Sequence, residues 1–275
     1  MLAYYYHNLS PFLIKFSPNF GIRWYGLAYI AGFLIGYFLC QHWRKQGWLP
    51  LSAQEIEALM TQVIILGTLI GGRLGYCLLY DWPTTVTKPW SILQVWKGGM
   101  SSHGGIVGLL IASAIFAKRH QTSIWRLWDA LALAAPPGIF LGRLANFMNG
   151  ELWGRAANVP WAVIFPDSPT PLQPRHPSQL YEAVLEGIIL GFILWAVKRK
   201  TKTPGFIFAT LLITYPLLRI VGEQFREPDA QIGFWFGFLT QGQLLSLLML
   251  MSGLAVSWKL WKNPPLPIFK PRKKH

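Results

Sequence analysis

"LWDALALAAPPGIFLGRLANFMNGELWGR", residues 127–155, opens as an apolar run and closes with two arginines, two asparagines and a glutamate inside its last fourteen residues. As a helix, the part from Leu127 to Asn149 is about 35 Å long at 1.5 Å per residue, enough to cross roughly 30 Å of hydrocarbon. A guanidinium carried into that layer is costly unless it meets a partner, a ligand or water. The segment therefore predicts a membrane helix that delivers polar groups to a particular place.

Composition points the same way. Of the 275 residues, 52% are hydrophobic, 15% aromatic and only 13% charged, against about a quarter charged in an ordinary soluble domain. Apolar runs predict helices near 21–41, 56–80, 103–117, 127–149, 178–197, 204–225 and 238–261. The fold class expected is all-α: a polytopic integral membrane helical bundle of about seven transmembrane helices, forming one domain over 1–275. The third helix is short for a full crossing and opens with "SSHGG", so a partial or re-entrant segment packed inside protein is expected there. No internal repeat is evident, which counts against an inverted-repeat transporter.

The formal charge of +14 does not point to nucleic acid. Its basic residues cluster in short segments between the apolar runs, as membrane orientation signals do. Arg44 and Lys45, then Lys118, Arg119 and Arg126, then Lys198, Arg199, Lys200 and Lys202, and six from Lys259 to Lys274 follow helices one, three, five and seven. By the positive-inside rule that side is cytoplasmic. The N-terminus is then periplasmic and the basic tail, about 262–275, cytoplasmic. Residues 1–16 lack a basic region and a small-residue cleavage site, so the first span is expected to direct insertion itself. Cys40 and Cys77 lie in apolar runs without motif spacing and read as packing residues.

Ten basic residues are left that topology does not explain. Among them Arg73, Arg143 and Arg219 fall at a similar depth, roughly 10 Å below the outer ends of their helices at 1.5 Å per residue. Three guanidiniums at one level repel one another unless carboxylates or a bound anion lie between them. Glu151, Glu182, Glu186, Glu223 and Asp229 are the nearby acids, and Arg219 with Glu223 has helical i,i+4 spacing. Internal ion pairs are one reading. An anion site fed from the outer leaflet, where phospholipid head groups abound, is the other, and the planar fork of arginine suits phosphate.

Four polar clusters share that outer half. Arg143 and Asn146 lie on one face of the fourth helix, with Asn149, Gly150, Glu151 and Gly154 at its end. "KGGMSSHGGIVG" (97–108) brings His103 to the entry of the third helix, where Gly104 and Gly108 also form a small-xxx-small packing pair. "RHPSQLYEAVLEG" (175–187) opens the fifth helix with Arg175, His176, Gln179, Tyr181 and Glu182. "YPLLRIVGEQFREPDAQ" (215–231) brings Tyr215, Arg219, Glu223 and Arg226 to the end of the sixth.

"HGGIVG", "GRLANFMNGELWGR", "RHPSQLYEA" and "FREPDAQ", in this order and spacing, resemble the prolipoprotein diacylglyceryl transferase family, and the resemblance runs from "RWYG" at Arg23 to "TQGQLLS" at Thr240. It implies an enzyme of the bacterial plasma (inner) membrane, with its active site toward the periplasm. That enzyme moves the diacylglyceryl group of phosphatidylglycerol to the lipobox cysteine thiol of a prolipoprotein signal peptide, and glycerol 1-phosphate leaves. Positions matching the family's important residues are Tyr25, His103, Arg143, Asn146, Glu151, Gly154, Arg219 and Glu223, with Asp129, Tyr215 and Arg226 in support. The chain departs from the pattern at Ile106 and Glu227, and in a short loop between Gly154 and Arg175 that puts a periplasmic arm in question.

Chemistry adds roles to these positions. A thiol must ionise to attack, and charge then gathers on the departing phosphate. The catalytic expectation is Arg143 and Arg219 on the phosphate, with His103 as base and Glu151 as the competing choice. Tyr25, Asn146, Gly154, Tyr215, Glu223, Arg226, Arg73, His176 and Glu182 are expected to hold substrate. No metal or cofactor is required and a monomer is expected. An anion transporter or a lipid-binding scaffold could line a site with the same arginines, and thioether formation separates them.

Overall fold

Long apolar runs in lipid become helices because every backbone N–H and C=O must be satisfied within the segment. In the computed structural model, which describes residues 4–17, 20–227, 234–235 and 239–265, the long helices are α1 (Trp24–Lys45), α2 (Ala53–Leu79), α3 (Ser102–Arg119), α4 (Ile124–Met148), α5 (Ser178–Lys200), α6 (Phe206–Glu223) and α7 (Gln241–Lys262). All of these but α3 are long and apolar enough to cross a membrane. The chain is a multi-pass, all-α membrane protein. Asp229 and the tail beyond residue 265 lie outside the described residues.

Caps set some of the edges. Helix α2 begins at Ala53, earlier than the apolar pattern predicts, because Ser52 and Glu55 form a capping box. The Ser52 hydroxyl accepts from Glu55 N (3.2 Å) and the Glu55 carboxylate accepts from Ser52 N (2.7 Å). Thr240 and Gln243 start α7 in the same way. Both α2 and α5 widen into π-type turns, at Leu59–Gly67 and Ala183–Ile189. Proline interrupts α4 at Pro136 and Pro137 and α6 at Pro216, each removing a helix hydrogen bond.

The chain divides into two compact units: Tyr37–Ala130 makes one, and the segment up to Gly36 with the chain from Leu131 makes the other. Helices α1 and α4 contribute to both. In the first unit α2 and α3 approach until their backbones touch. A Cβ on Gly71 would stand 2.4 Å from the Gly104 carbonyl oxygen, and one on Gly108 would stand 2.2 Å from that of Gly67. Such small-residue seams drive helix association in lipid, where no hydrophobic effect operates between helices. Leu49, Ile56, Leu59 and Leu127 form the centre of this unit. Its connector between α2 and α3 exposes Tyr80, Trp82, Trp90 and Trp96, side chains suited to a membrane interface.

The second unit holds α5, α6 and α7 around Leu190, Leu194, Ile207 and Leu260, all fully buried. The apolar pattern did not predict its short strands. β1 (Tyr5–Tyr6) runs parallel to β4 (Val163–Ile164), which pairs antiparallel with β5 (Pro174–Arg175). β2 (Phe12–Ser17) and β3 (Phe20–Arg23) make a hairpin, and β6 (Phe234–Trp235) pairs with β7 (Leu239–Thr240).

Candidate active site

Helix α4 stops where Gly150 and Leu152 take positive φ, +65° and +57°. His7 backs this turn. Its ring lies within 3.0 Å of where a Gly150 Cβ would be, and its Nε2 donates to the Phe147 carbonyl at 2.7 Å. On the other side Glu151 is held from several directions. Asn146 Nδ2 (2.8 Å) and Asn149 Nδ2 (3.2 Å) both donate to Glu151 Oε1, while Gln179 Nε2 donates to the Glu151 carbonyl at 2.6 Å.

Arg143 reaches its partners because α4 and α5 touch one turn earlier: a Cβ on Gly187 would stand 2.6 Å from Phe140 Cβ. Beside Gly187 is Glu186, and a turn before it Glu182. Arg143 Nη2 lies 2.9 Å and Nε 3.2 Å from Glu186 Oε2, and its Nη1 lies 3.0 Å from Glu182 Oε2. Arg219, from α6, shares both acids, with Nη1 at 2.6 Å from Glu182 Oε1 and 3.1 Å from Glu186 Oε1. Its Nη2 meets Glu223 Oε2 at 3.2 Å, and Arg226 Nη1 stands 3.8 Å from Glu182 Oε1. The pairs to Glu182 Oε2 and Glu223 Oε2 are ion-pair contacts without hydrogen-bond alignment.

Three arginines thus face three glutamates, and the formal charges cancel. That lowers the cost of placing them at membrane depth. The arrangement is layered: the Glu182 and Glu186 side chains are fully buried, whereas Arg143 and Arg219 keep 16% and 14% of theirs exposed. Fixed carboxylates behind and guanidinium edges in front make a preorganised donor surface for an anion, each fork locked by two or more contacts.

Gly154 sits where three stretches of chain cross. Its N–H donates to the His176 carbonyl (3.0 Å) and it bridges to Arg226, while its carbonyl accepts from Arg175 Nη1 at 3.0 Å. A Cβ there would stand 2.4 Å from His176 O and 2.6 Å from Phe225 O, so only glycine fits. Arg175 Nη1 also pairs with Glu227 Oε2 (3.1 Å), which gives a local reason for a glutamate at that position. His176 Nδ1 is 3.1 Å from the Tyr181 hydroxyl, which accepts from Trp161 Nε1 at 2.7 Å. Burial lowers the His176 imidazole pKa below its ordinary value.

Among the other expected site residues, Tyr215 faces Arg143, Arg219, Glu182 and Glu186 of the ion-pair network, and the rest lie elsewhere. Tyr25 is the second residue of α1, edge-on to Tyr29 with centroids 5.2 Å apart, and Tyr215 lies one turn before Arg219 on α6. His103 belongs to the unit of α2 and α3, exposed in the first turn of α3. Arg73 is in that unit too, and the substrate-binding expectation meets a different arrangement. Its guanidinium donates to the carbonyls of Ser91, Ile92, Gly98 and Gly99, so its donors are spent on backbone. Asp129 is fully buried with Arg126 Nη1 3.8 Å away. Among the described residues no group of three or more His, Cys, Asp and Glu could hold a metal ion.

Sequence reasoning left Glu186 out of the expected site, although its spacing from Glu182 on an apolar helix was a usable signal. His7 was missed outright.

Comparison with known proteins gives a concordant result. A family model described as prolipoprotein diacylglyceryl transferase matches residues 11–259. The chain is 45% identical to the phosphatidylglycerol–prolipoprotein diacylglyceryl transferase of Bradyrhizobium diazoefficiens, with 94% of each chain covered. It is 42% identical to the protein of that name from Legionella pneumophila (strain Corby), covering 92% of this chain and 98% of the relative. With that from Rhodospirillum rubrum it shares 45% identity over 94% of this chain and 95% of the relative.

Proposed function

The chain belongs to the prolipoprotein diacylglyceryl transferase family, and from that premise we propose how its residues carry the reaction. It is a membrane transferase of lipoprotein biosynthesis. It moves the diacylglyceryl group of phosphatidylglycerol to the thiol of the lipobox cysteine of a prolipoprotein, forms a thioether and releases glycerol 1-phosphate.

The observation that carries the site assignment is the pair Arg143 and Arg219, locked by Glu182 and Glu186 with their edges exposed. In the reaction the thiol gives up its proton and the thiolate sulfur attacks the diacylglyceryl carbon that bears the phosphate ester. A carbon–sulfur bond forms, the carbon–oxygen bond breaks, and its electrons stay on the phosphate oxygen. The phosphate goes from one negative charge toward two, so donors fixed around it gain strength in the transition state. Arg143 and Arg219 are assigned to that charge, with Glu223, Arg226 and Glu182 holding them in place. His103 is assigned as the thiol base, with Glu151, whose Oε1 accepts from both asparagine amides, as the competing choice. Tyr25 and Tyr215 are assigned to the lipid, Gly154 and His176 to the chain crossing that supports the site, and Arg73 to the α2–α3 connector.

The reading places the protein in the bacterial plasma membrane with the site facing the periplasm, where a translocated precursor presents its cysteine. A monomer is proposed. The test of activity is purified protein in phosphatidylglycerol vesicles with a lipobox peptide. The expected product is the peptide with one diacylglyceryl group in thioether linkage, whereas lipid binding without product would leave a scaffold. For orientation, a reporter active only in the periplasm works when fused after Leu152 and is silent after Lys200; the reverse pattern puts the site on the wrong side.

A further inference from the structure

Glu223 closes one end of the ion-pair network, yet it is the last residue of α6, where the chain leaves the helix through a loose turn with Arg226 N at 3.3 Å from Glu223 O. A side chain at a helix end has rotamer freedom unless something outside holds it. What holds it is the start of α7. Thr240 Oγ1 lies 3.1 Å from Glu223 Oε1, and both residues are buried.

The direction of this bond is fixed by its neighbours. Thr240 is the N-cap of α7, and its oxygen already accepts the backbone N–H of Gln243 at 3.1 Å. An ionised carboxylate only accepts, so the Thr240 hydroxyl proton points at Glu223. Gln243 Oε1 accepts from Thr240 N at 3.1 Å and completes the box that locks the threonine. On the adjoining side a Cβ on Gly242 would stand 3.0–3.1 Å from the carboxylate atoms of Glu223, so the first turn of α7 forms a wall against it.

We propose that Thr240 is a positioning residue for the transfer reaction, setting Glu223 so that Arg219 presents its guanidinium to the substrate phosphate. The inference rests on the assignment of Arg219 to that phosphate. It makes α7, which supplies none of the expected site residues, the outer brace of the site.

Three variants test it. Thr240→Val keeps the shape and removes the hydroxyl; Thr240→Ser restores the hydroxyl; Gln243→Ala weakens the cap without touching Glu223. Turnover of the lipobox peptide in phosphatidylglycerol vesicles and thermal stability are measured for each. The valine variant loses about 10- to 100-fold in kcat/KM for phosphatidylglycerol, the factor one hydrogen bond to a charged group is worth, while KM for the peptide stays put. The serine variant recovers to within about threefold, as expected for the same bond. Gln243→Ala lowers stability and keeps kcat. A valine variant as active as wild type, a serine variant as impaired as valine, or a Gln243→Ala loss of turnover equal to that of valine overturns the inference and leaves Thr240 as a helix cap. If wild type binds phosphatidylglycerol but makes no thioether, the proposed function fails instead, and positioning then stands or falls on whether Thr240→Val weakens lipid binding.

Discussion

Arg73 on one side, and Arg143 with Arg219 on the other, look alike in sequence: each is an arginine a turn or two from the end of an apolar helix. In the structure they answer to different partners. The four contacts of Arg73 are neutral carbonyls of a connector that has no secondary structure long enough to satisfy itself. Those of Arg143 and Arg219 are carboxylates on neighbouring helices. Carbonyls use up the donors and leave the charge in place, as a structural pin does. Carboxylates cancel the charge, fix the fork and leave its edge for a ligand. Depth in the membrane therefore says that an arginine has a partner, and the partner's chemistry says what the arginine is for.

The contrast breaks first at Arg143→Lys. Lysine keeps the positive charge but not the planar fork that meets Glu182 and Glu186 together, so turnover is expected to fall by about 10²- to 10³-fold, the scale of one lost transition-state donor. The folded protein should still be recovered from the membrane. Near-normal turnover in folded Arg143→Lys would make this arginine a pin like Arg73.

His103→Gln comes next and probes the unit that lacks the network. Losing a general base costs about 10² or more in rate at neutral pH. The deficit should shrink between pH 7 and 9, because the peptide thiol, with an unperturbed pKa of about 8.5, then ionises unaided. A deficit that is constant over that range would move His103 to lipid positioning and promote Glu151 to the base.

These two residues also mark how far the sequence reached. Helices were readable because lipid leaves an apolar run of some twenty residues one good option, and some edges moved, as where the cap of Ser52 with Glu55 extended α2 or the strand Phe20–Arg23 delayed α1. Arg143, Arg219, Glu182 and Glu223 were readable because buried charge is rare enough to stand out. Glu186 was harder, since its role depends on α4 lying against Gly187 and on the wide turns of Ala183–Ile189. The partners of Arg73 could not be read at all. They are backbone carbonyls, which every residue carries, and only the course of the connector decides which four converge. His7 was hidden for the same reason, its place behind Gly150 being set by short strands with almost no sequence signature.

Arg73→Lys should show a smaller and different effect. A lysine ammonium cannot fork to four carbonyls, so stability should drop by about 1–3 kcal/mol, the range for lost hydrogen bonds to a charged group. Activity per folded molecule should stay within about threefold, since nothing in the phosphate site changes. Thermal unfolding and specific activity on one preparation separate the two quantities. An unchanged melting temperature with lost activity would return Arg73 to the lipid site.

The smallest effect concerns His176, whose ring lies against Tyr181 and Phe225. Burial lowers its pKa below the ordinary value, about 6.5 in an unfolded chain. The unfolded chain therefore binds a proton at this residue at a higher pH than the folded protein does. Stability contributed by neutral His176 is fully present above about pH 6.5 and is lost as pH falls from there toward the folded value. Other histidines titrate in the same window, so the quantity to follow is the difference between wild type and His176→Phe. Phenylalanine fills the site but cannot titrate; it gives up the Tyr181 hydrogen bond at every pH, which adds a constant offset. The gap between the two melting curves should accordingly change between about pH 7 and pH 5, with wild type losing ground in acid. A gap that stays constant across that range would mean that His176 is as readily protonated folded as unfolded.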